Sequence, residues 1–185
     1  MWIDAEAGVA FGHCRLSIID LTKAGKQPMQ SSSRRYIIIF NGEIYNNKEL
    51  RSNLTNHNWN GGSDTETLLA AIEKWGLMAT LERCIGMFAF ALWDSWNREL
   101  ILCRDRLGEK PLYWSWQKAG KKLCFLFGSE LKALKAHSFF SADINREALS
   151  LFMKFGYVPT PHTIYDNVQK LTPGSVLRVS LDTQT

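Results

Sequence analysis

Three short segments of this sequence combine residue types that could recognise a small molecule. Arg15 lies next to an apolar segment, and its guanidinium could bind a carboxylate through two parallel hydrogen bonds. Asn41 and Gly42 follow the apolar run Tyr36–Phe40, and an amide side chain beside a closely approaching backbone N–H could form an oxyanion hole. Asp64 lies at the start of a predicted helix, where the helix dipole favours its ionised form, so it could hold an ammonium group.

Each of these segments also has a structural interpretation. Arg15 could form a salt bridge within the fold, and an Asn-Gly pair is common in hairpin turns. Ser63 and Glu66 form an S-x-x-E capping box, which explains the residues around Asp64 without any ligand. No segment therefore decides the function when it is considered alone.

The cysteines indicate neither a metal site nor a redox site. No two of the four form a C-x-x-C pair, so zinc binding and thioredoxin-like chemistry are not supported. Cys14 lies between His13 and Arg15, which a strand would direct to the opposite face, so we expect it to be a structural thiol. The other three lie in apolar segments and are predicted to be buried free thiols of a cytoplasmic protein.

The overall composition is that of a globular protein. The chain has 185 residues, a formal net charge of +4 and 45% hydrophobic residues. Its basic residues are scattered pairs, which favours a solvated surface over a nucleic-acid-binding face. No apolar run approaches the ~20 residues of a membrane helix, and the first residues lack the features of a secretory signal. We therefore expect a cytoplasmic protein that binds neither nucleic acid nor a membrane.

The clearest predicted element is a helix over Asp64–Trp75. The capping box precedes apolar residues spaced i, i+1, i+4 and i+7, and Gly76 ends the pattern. The run Tyr36–Phe40 is apolar on both faces and predicts a strand buried on both sides, ended by the turn signal of the Asn-Gly pair. Four further runs between residues 87 and 127 predict an antiparallel meander with tight turns.

The remaining elements follow from the same patterns. The predicted strands, besides Tyr36–Phe40, are Val9–His13, Arg15–Asp20, Met87–Asp94, Glu99–Arg104, Pro111–Trp116, Lys122–Phe127 and Gly174–Leu181. The predicted helices, besides Asp64–Trp75, are Lys48–Leu54 with Asn46 as its cap, Ser129–Ala136 and Asn145–Lys154. The charged loop Asp105–Lys110 is predicted to be a turn fixed by ion pairs.

Taken in this order, the segments resemble the type-2 glutamine amidotransferase domain of glutamine-hydrolysing asparagine synthetases. The matching stretches cover nearly the whole chain: RLSIID, QPM, FNGEIYN, GSDTE, GMFAFALWD, RDRLGEKPLY, FGSELKAL and GYVPTPHTIYDNVQKLTPG. The resemblance implies an α+β fold of the N-terminal-nucleophile hydrolase type, a four-layer αββα sandwich of two antiparallel sheets between helices. It implies one such domain over residues 1–181, of which 143–181 leads towards a synthetase domain, and a tail over 182–185.

The resemblance also implies roles for individual residues in binding glutamine. Asn41 and Gly42 would form the oxyanion hole, and Glu43 and Asp64 would line the α-amino site. The α-carboxylate would be bound by Arg15 and the backbone of the following residues, Leu16, Ser17, Ile18 and Ile19. This chain would need no metal and no cofactor, whereas a synthetase domain in cis would use ATP and Mg to make asparagine from aspartate and the released ammonia. A homodimer is compatible with the resemblance.

The first residues depart from the family that the chain resembles. There the nucleophile is a cysteine that becomes residue 1 after the initiator Met is removed, whereas Trp2 follows Met1 here. We therefore expect this chain to be an N-terminally truncated domain that lacks the first strand and is inactive by itself. It also has no Ser-Gly-Gly-x-Asp-Ser loop for ATP, so it is not expected to adenylate aspartate. Two alternatives remain open: a glutamine-binding module without a nucleophile, and a truncated gene product without independent function.

Overall fold

The computed structural model describes residues 1–14, 22–55 and 57–180. The strands are β1 (Trp2–Asp4), β2 (Val9–Phe11), β3 (Met29–Gln30), β4 (Tyr36–Ile44), β5 (Gly86–Asp94), β6 (Glu99–Arg104), β7 (Tyr113–Ala119), β8 (Lys122–Gly128), β9 (Val168–Lys170) and β10 (Val176–Ser180). The helices are α1 (Asn47–Ser52), α2 (Asp64–Trp75), α3 (Leu77–Arg83), α4 (Leu131–Lys135) and α5 (Arg146–Phe155), with a short 3-10 helix at Lys23–Gly25.

Two compact units divide the described residues. The first comprises Met1–Cys103 and β10, and the second comprises Arg104–Ser175. The first contains a hairpin of β1 and β2 and an antiparallel sheet of five strands in the order β10-β6-β5-β4-β3. The second contains an antiparallel sheet of three strands in the order β8-β7-β9. The predicted mixture of helices and antiparallel sheets is therefore confirmed.

The core of the first unit forms where α2 packs against β4 and β5. The two strands pair over nine residues each, and their apolar side chains are almost completely buried. Phe40 and Phe90 contribute from the sheet, while Leu68, Leu69 and Ile72 contribute from the helix. This packing fixes the N-terminus of α2 relative to the end of β4.

Helix α2 has the bounds that its sequence predicts. The side chain of Ser63 accepts a hydrogen bond from the N–H of Glu66 at 3.2 Å, as an N-cap should. The carboxylate of Glu66 accepts hydrogen bonds from the N–H groups of Asn60 and Gly61, at 2.6 and 2.9 Å. The hydrogen bonds of Glu66 therefore connect the preceding loop to the first turn of the helix.

The turn predicted at the Asn-Gly pair is wrong, because β4 continues through it to Ile44. Gly42 lies opposite Phe88 in the ladder, and a Cβ on Gly42 would lie 2.6 Å from the Cα of Phe88. A Cβ on Gly86 would likewise collide with the backbone oxygen of Glu43. Glycine is therefore needed here for the close approach of two strands and not for a turn.

The predicted meander is interrupted after β6. Strands β5 and β6 are neighbours in one sheet and β7 and β8 are neighbours in another, so β6 and β7 do not pair. The Arg104 guanidinium donates hydrogen bonds to the carbonyl oxygens of Gly108 and Lys110, at 2.6 and 2.8 Å. The Asp105 carboxylate accepts bonds from three N–H groups of the same loop. Charged side chains thus fix this loop through its backbone.

Several other elements differ from their predictions. Asn46 occupies the N-cap position of α1, but its side chain bonds the carbonyl oxygen of Arg83 and the N–H of Ile85, both at 2.9 Å. The predicted strand Arg15–Asp20 lies outside the described residues. Helix α3 and strands β1, β3 and β9 have no counterpart among the predictions. None of the helices in the described ranges has the length and apolarity needed to cross a membrane.

Candidate functional site

The strand β4, which carries three of the candidate residues, has two different edges. β5 pairs with it along its whole length, whereas β3 pairs with it over two residues only. Tyr45 follows β4 and donates its N–H to Ile85 on the β5 side, at 2.7 Å. Because alternate residues of an antiparallel ladder direct their N–H groups to opposite edges, Phe40, Gly42 and Ile44 direct theirs away from β5.

Side chains from two other segments bond the peptide groups of Phe40 on this outer edge. The Oε1 atom of Gln27 accepts a hydrogen bond from the Phe40 N–H at 2.6 Å. The Nε2 atom of His13 lies 3.1 Å from the Phe40 carbonyl oxygen and must be the donor, since a carbonyl only accepts. The Nε2 atom of Gln27 also donates to the hydroxyl of Thr65 at 3.2 Å. Gln27 therefore connects β4 to the first turn of α2.

Asp64 provides a second connection between α2 and the outer edge of β4. Its Oδ2 atom accepts a hydrogen bond from the N–H of Ile44 at 3.1 Å, and its Oδ1 atom accepts one from the N–H of Thr65 at 2.9 Å. The N–H of Gly42 lies midway along this edge, two residues from Phe40 and two from Ile44. A donor in this position can bind the oxygen of a ligand that approaches the edge.

The side chains of Asn41 and Glu43 complete the group of candidate residues. They are two residues apart on a strand and therefore lie on the same face of the sheet. Both are half-buried, whereas Phe40 and Ile44, which alternate with them, are in the core on the other face. The structure thus brings Asn41, Gly42 and Glu43 to one end of β4, with Asp64 bonded to the same end.

Burial raises the pKa of Asp64, and the negative charge of Glu43 raises it further. Hydrogen bonds from the N–H groups of Ile44 and Thr65 lower the pKa but do not offset the burial. The direction is opposite to the one expected from the helix dipole alone, because Asp64 is only 6% exposed. A cation bound beside Asp64 and Glu43 would favour the ionised form of Asp64.

A cleft of about 370 Å³ in the same unit is separate from this group. Its lining includes Ser31, Ser32, Glu66 and Glu73 but none of the four candidate residues. The carboxylate of Glu73 accepts hydrogen bonds from Ser32 and Ser33. Burial alone would raise the pKa of Glu73, but the bonds from the serines outweigh it and lower the pKa. Glu73 therefore has a structural partner in the loop before β4.

Some predicted site residues cannot be placed. Arg15, Leu16, Ser17, Ile18 and Ile19, which were predicted to bind the α-carboxylate, lie outside the described residues, and their role remains a prediction. Among the residues that are described, no group of three His, Cys, Asp or Glu side chains could hold a metal ion.

The cysteines differ in environment. Cys14 is exposed, Cys84 and Cys103 are buried, and Cys124 is half-buried with its pKa raised by burial. The prediction of burial is confirmed for Cys84 and Cys103. A buried or uncharged thiol is a poor nucleophile, so these environments favour structural roles for the three.

Sequence reasoning missed two residues that hold the site together, Gln27 and His13. Gln27 lies in the QPM stretch that carries part of the family resemblance, which marked the position without giving it a role. The sequence places His13 only as a neighbour of Cys14. Both side chains bond backbone atoms of Phe40, and such partners cannot be recognised from a pattern of residue types.

Comparison with known proteins identifies the family. The family described as a glutamine amidotransferase domain matches residues 1–185. The chain belongs to this family. It is 39% identical to asparagine synthetase (glutamine-hydrolyzing) 3 of Bacillus subtilis, over 96% of this chain and 29% of that protein. It is 37% identical to a putative asparagine synthetase (glutamine-hydrolyzing) 2 of Methanocaldococcus jannaschii, over 94% of this chain and 36% of that protein.

The amidotransferase chain therefore spans only about a third of the length of these curated relatives. Its resemblance to the asparagine synthetases, which was based on its motifs, is confirmed by these identities.

Solved structures confirm the fold of this amidotransferase domain. Glutamine phosphoribosylpyrophosphate amidotransferase from B. subtilis, complexed with ADP and GMP, matches with a TM-score of 0.53 and 24% identity, over 66% of this chain and 28% of that one. The allosteric regulatory enzyme of purine biosynthesis matches with a TM-score of 0.58 and 20% identity, over 90% of this chain and 32% of that one. At these identities the likeness shows the fold alone, and it is the N-terminal-nucleophile amidotransferase fold that the resemblance implied.

Proposed function

We propose that this chain is the glutamine-binding part of the ammonia-releasing domain of an asparagine synthetase-like enzyme. The observation that supports it most directly is the end of β4, where Gly42 and Glu43 directly precede Ile44, whose N–H is bonded by the Asp64 carboxylate. A hydrogen-bond donor for an oxygen and a pair of carboxylates for an ammonium group are the groups that an amino-acid amide requires.

Each polar group of glutamine has a partner in this proposal. The α-ammonium lies between Glu43 and Asp64, where its positive charge favours the ionised form of Asp64, whose pKa is raised mainly by burial. The amide oxygen accepts hydrogen bonds from the N–H of Gly42 and the side chain of Asn41. The α-carboxylate is bound by Arg15 with backbone N–H groups from the residues that follow it.

The same donors stabilise the charge that develops during hydrolysis. When a thiolate attacks the amide carbon, the carbonyl oxygen becomes an oxyanion, which the N–H of Gly42 and the amide of Asn41 stabilise more strongly than the neutral oxygen. In the family this thiolate comes from an N-terminal cysteine, whose α-amine takes up the thiol proton. The amine passes that proton to the amide nitrogen, the C–N bond breaks and ammonia leaves, and water then hydrolyses the remaining thioester to glutamate. We assign this chain the binding and oxyanion roles, and none of its four cysteines the role of nucleophile.

The second half of the proposed reaction belongs to residues beyond those that this chain shares with its relatives. There, ATP and Mg would activate aspartate as β-aspartyl-adenylate, and the ammonia would convert it to asparagine. The residues present here do not fit ATP or Mg, since the sequence has no Ser-Gly-Gly-x-Asp-Ser loop and the described residues contain no acidic metal cluster. We propose a cytoplasmic setting because all four cysteines are free, as is usual in a reducing compartment.

Calorimetric titration of the 185-residue chain with L-glutamine tests this function. We expect saturable binding to one site, and about tenfold weaker binding in Glu43→Gln because a charge-assisted bond to the ammonium is lost. The matched control is Glu49→Gln, because Glu49 is exposed on α1, and it should bind as the unaltered chain does. Absence of binding at millimolar glutamine, or equal weakening in both variants, would contradict the proposal.

A further inference from the structure

On the outer edge of β4, side chains and not a neighbouring strand form the hydrogen bonds of the Phe40 N–H and C=O groups. Within the described ranges, the pairing of β3 with β4 covers only Ile37 and Ile38. Phe40 is the next residue whose N–H and C=O face this edge, and Gln27 and His13 bond these two groups. The two side chains therefore replace the next pair of ladder hydrogen bonds.

Gln27 also reaches the helix that carries Asp64. Its Nε2 atom donates to the hydroxyl of Thr65, and Thr65 is buried and adjacent to Asp64. The first turn of α2 is thus joined to β4 twice, through Gln27 at Phe40 and through the Asp64 carboxylate at Ile44. The three candidate residues of β4 lie between these two attachments.

The two attachments determine where the N–H of Gly42 points. Gly42 has no side chain to anchor it, and its position on one side is set by contact with β5. On the other side, the direction of its N–H depends on the peptide planes at Phe40 and Ile44. A donor that binds a developing oxyanion must be held in place before the ligand arrives, because a shift well below 1 Å weakens the bond.

We propose that Gln27 is a positioning residue for the amide-oxygen site, acting through the Phe40 peptide on the N–H of Gly42. This inference rests on the proposed function, since it concerns the same glutamine site. In this proposal Gln27 does not contact the ligand. Replacing Gln27 therefore weakens only the hydrogen bonds between the oxyanion donors and the amide oxygen of glutamine. His13 bonds the carbonyl oxygen of the same residue, which belongs to the next peptide group.

Three variants separate this role from a general effect on folding. Gln27→Leu keeps the approximate size and removes the acceptor for the Phe40 N–H. Gln27→Glu keeps that acceptor, and its second oxygen can accept from the Thr65 hydroxyl, so it is the rescue variant. Gln30→Leu is the matched control, because Gln30 is exposed and its side chain bonds only the carbonyl oxygen of Arg34, at the long distance of 3.4 Å.

The measurement compares affinity for L-glutamine with affinity for L-norvaline. Norvaline has the same α-amino and α-carboxylate groups and the same chain length but carries a methyl group in place of the carboxamide. The ratio of the two affinities therefore reports the contribution of the amide-oxygen site alone. We expect Gln27→Leu to lower this ratio about tenfold without changing the affinity for norvaline, and Gln27→Glu to restore it to within about twofold. Gln30→Leu should leave the ratio unchanged.

Two results would overturn the positioning role. The first is a parallel fall in both affinities in Gln27→Leu, which a merely structural role predicts, and the second is an unchanged ratio. If Gln27→Leu does not fold, Thr65→Val removes the hydroxyl that accepts the second hydrogen bond of Gln27, and it should lower the ratio about threefold. An unaltered chain that binds glutamine no better than norvaline would contradict the proposed function itself, which is a separate outcome.

Discussion

The Asp64 carboxylate accepts a hydrogen bond from the backbone N–H of Ile44, with a distance of 3.1 Å between Oδ2 and the nitrogen. This bond joins the first residue of a helix to the last residue of a strand, 20 positions earlier in the chain. Since Glu43 directly precedes Ile44, the bond also brings the two acidic residues of the proposed amino site together. The helix start is therefore part of the site and not only its support.

Glutamine affinity should decrease as the pH falls, because an ammonium ligand favours the ionised form of Asp64. The pKa of Asp64 is raised by burial, so the loss should begin at a higher pH than the ordinary aspartate value of about 3.9 suggests. Asp64→Asn should bind more weakly and with a shallower pH dependence, since one of the two carboxylates of the proposed amino site is removed. Calorimetric titrations from about pH 4 to pH 8 measure both effects. A flat profile in the unaltered chain would exclude an ionised Asp64 as a ligand.

Removing Arg15 should strongly weaken the binding of glutamine. The proposal assigns its guanidinium to the α-carboxylate, and loss of a bidentate charged contact should weaken binding by about a hundredfold. Arg15→Ala is compared with Arg34→Ala, which removes an exposed arginine near the start of β4. An unchanged affinity for glutamine in Arg15→Ala, or an equal loss of affinity in both variants, would show that Arg15 does not bind the α-carboxylate.

The ion pair of Arg35 and Asp94 should stabilise the first unit more than a surface pair does. Two bonds of 2.9 and 2.6 Å join them, and the Asp94 side chain is only 4% exposed. Arg35→Met should lower the free energy of unfolding by about 2 kcal/mol at pH 7. Arg178→Met, which breaks the more exposed pair with Glu99, should cost at most about 0.5 kcal/mol. Urea unfolding measures both, and equal costs would contradict the prediction.

The Arg35 contribution should also depend on pH in a defined direction. Burial alone would raise the pKa of Asp94, but the bond from Arg35 and backbone N–H groups outweigh it, so the pKa is lowered. A carboxylate with a lowered folded-state pKa stabilises the protein above its unfolded-state pKa, and this contribution is lost as the pH falls through the folded-state value. The difference between the unaltered chain and Arg35→Met should therefore shrink in acid. A difference that grows in acid would contradict this assignment.

Gly42→Ala should be strongly destabilising. The added Cβ would collide with the backbone oxygen of Met87 and lie 2.6 Å from the Cα of Phe88, and backbone atoms of a paired strand cannot move aside. We expect a cost of about 3 kcal/mol in the free energy of unfolding. Gly12→Ala is the control, since among the described residues no atom beyond the adjoining residues lies within 4 Å of its added Cβ, and it should cost about 0.5 kcal/mol or less. Comparable stabilities of the two variants would show that β4 and β5 are farther apart at Gly42 than this structure has them.

The 185-residue chain is expected to release no ammonia from glutamine. Cys84 and Cys103 are buried, and burial raises the pKa of Cys124, so none of these three thiols is an accessible thiolate. Cys14 is exposed but has no assigned base. A coupled ammonia assay on the chain and on Cys14→Ala measures this. Turnover that disappears in Cys14→Ala would identify Cys14 as a nucleophile.

The success of the sequence predictions depends on how local each signal is. The bounds of α2 are correct because the cap, the apolar spacing and the terminal glycine all lie within a few residues of one another. The Asn-Gly pair was misinterpreted because the reason for Gly42 is its contact with Phe88, which is far away in the sequence. The end of the meander at β6 could not be predicted for the same reason. There the side chains of Arg104 and Asp105 bond the backbone of the loop that follows β6.

The same limit applies to the candidate site. The resemblance implies which residues bind glutamine, and the structure brings Asn41, Gly42, Glu43 and Asp64 to one end of β4. Gln27 could not be assigned from the sequence, because one of its partners is a backbone N–H and the other is the Thr65 hydroxyl on a separate element. Side chains that bond backbone leave no complementary residue type to recognise.

The bonds on the outer edge of β4 also bear on self-association. An uncovered strand edge offers N–H and C=O groups to another chain and promotes aggregation. Here Gln27 and His13 occupy the groups of Phe40, and Asp64 occupies the N–H of Ile44. The side chains that hold the proposed glutamine site in place therefore also protect the sheet against intermolecular strand pairing, so substitutions there would increase the tendency of the protein to aggregate.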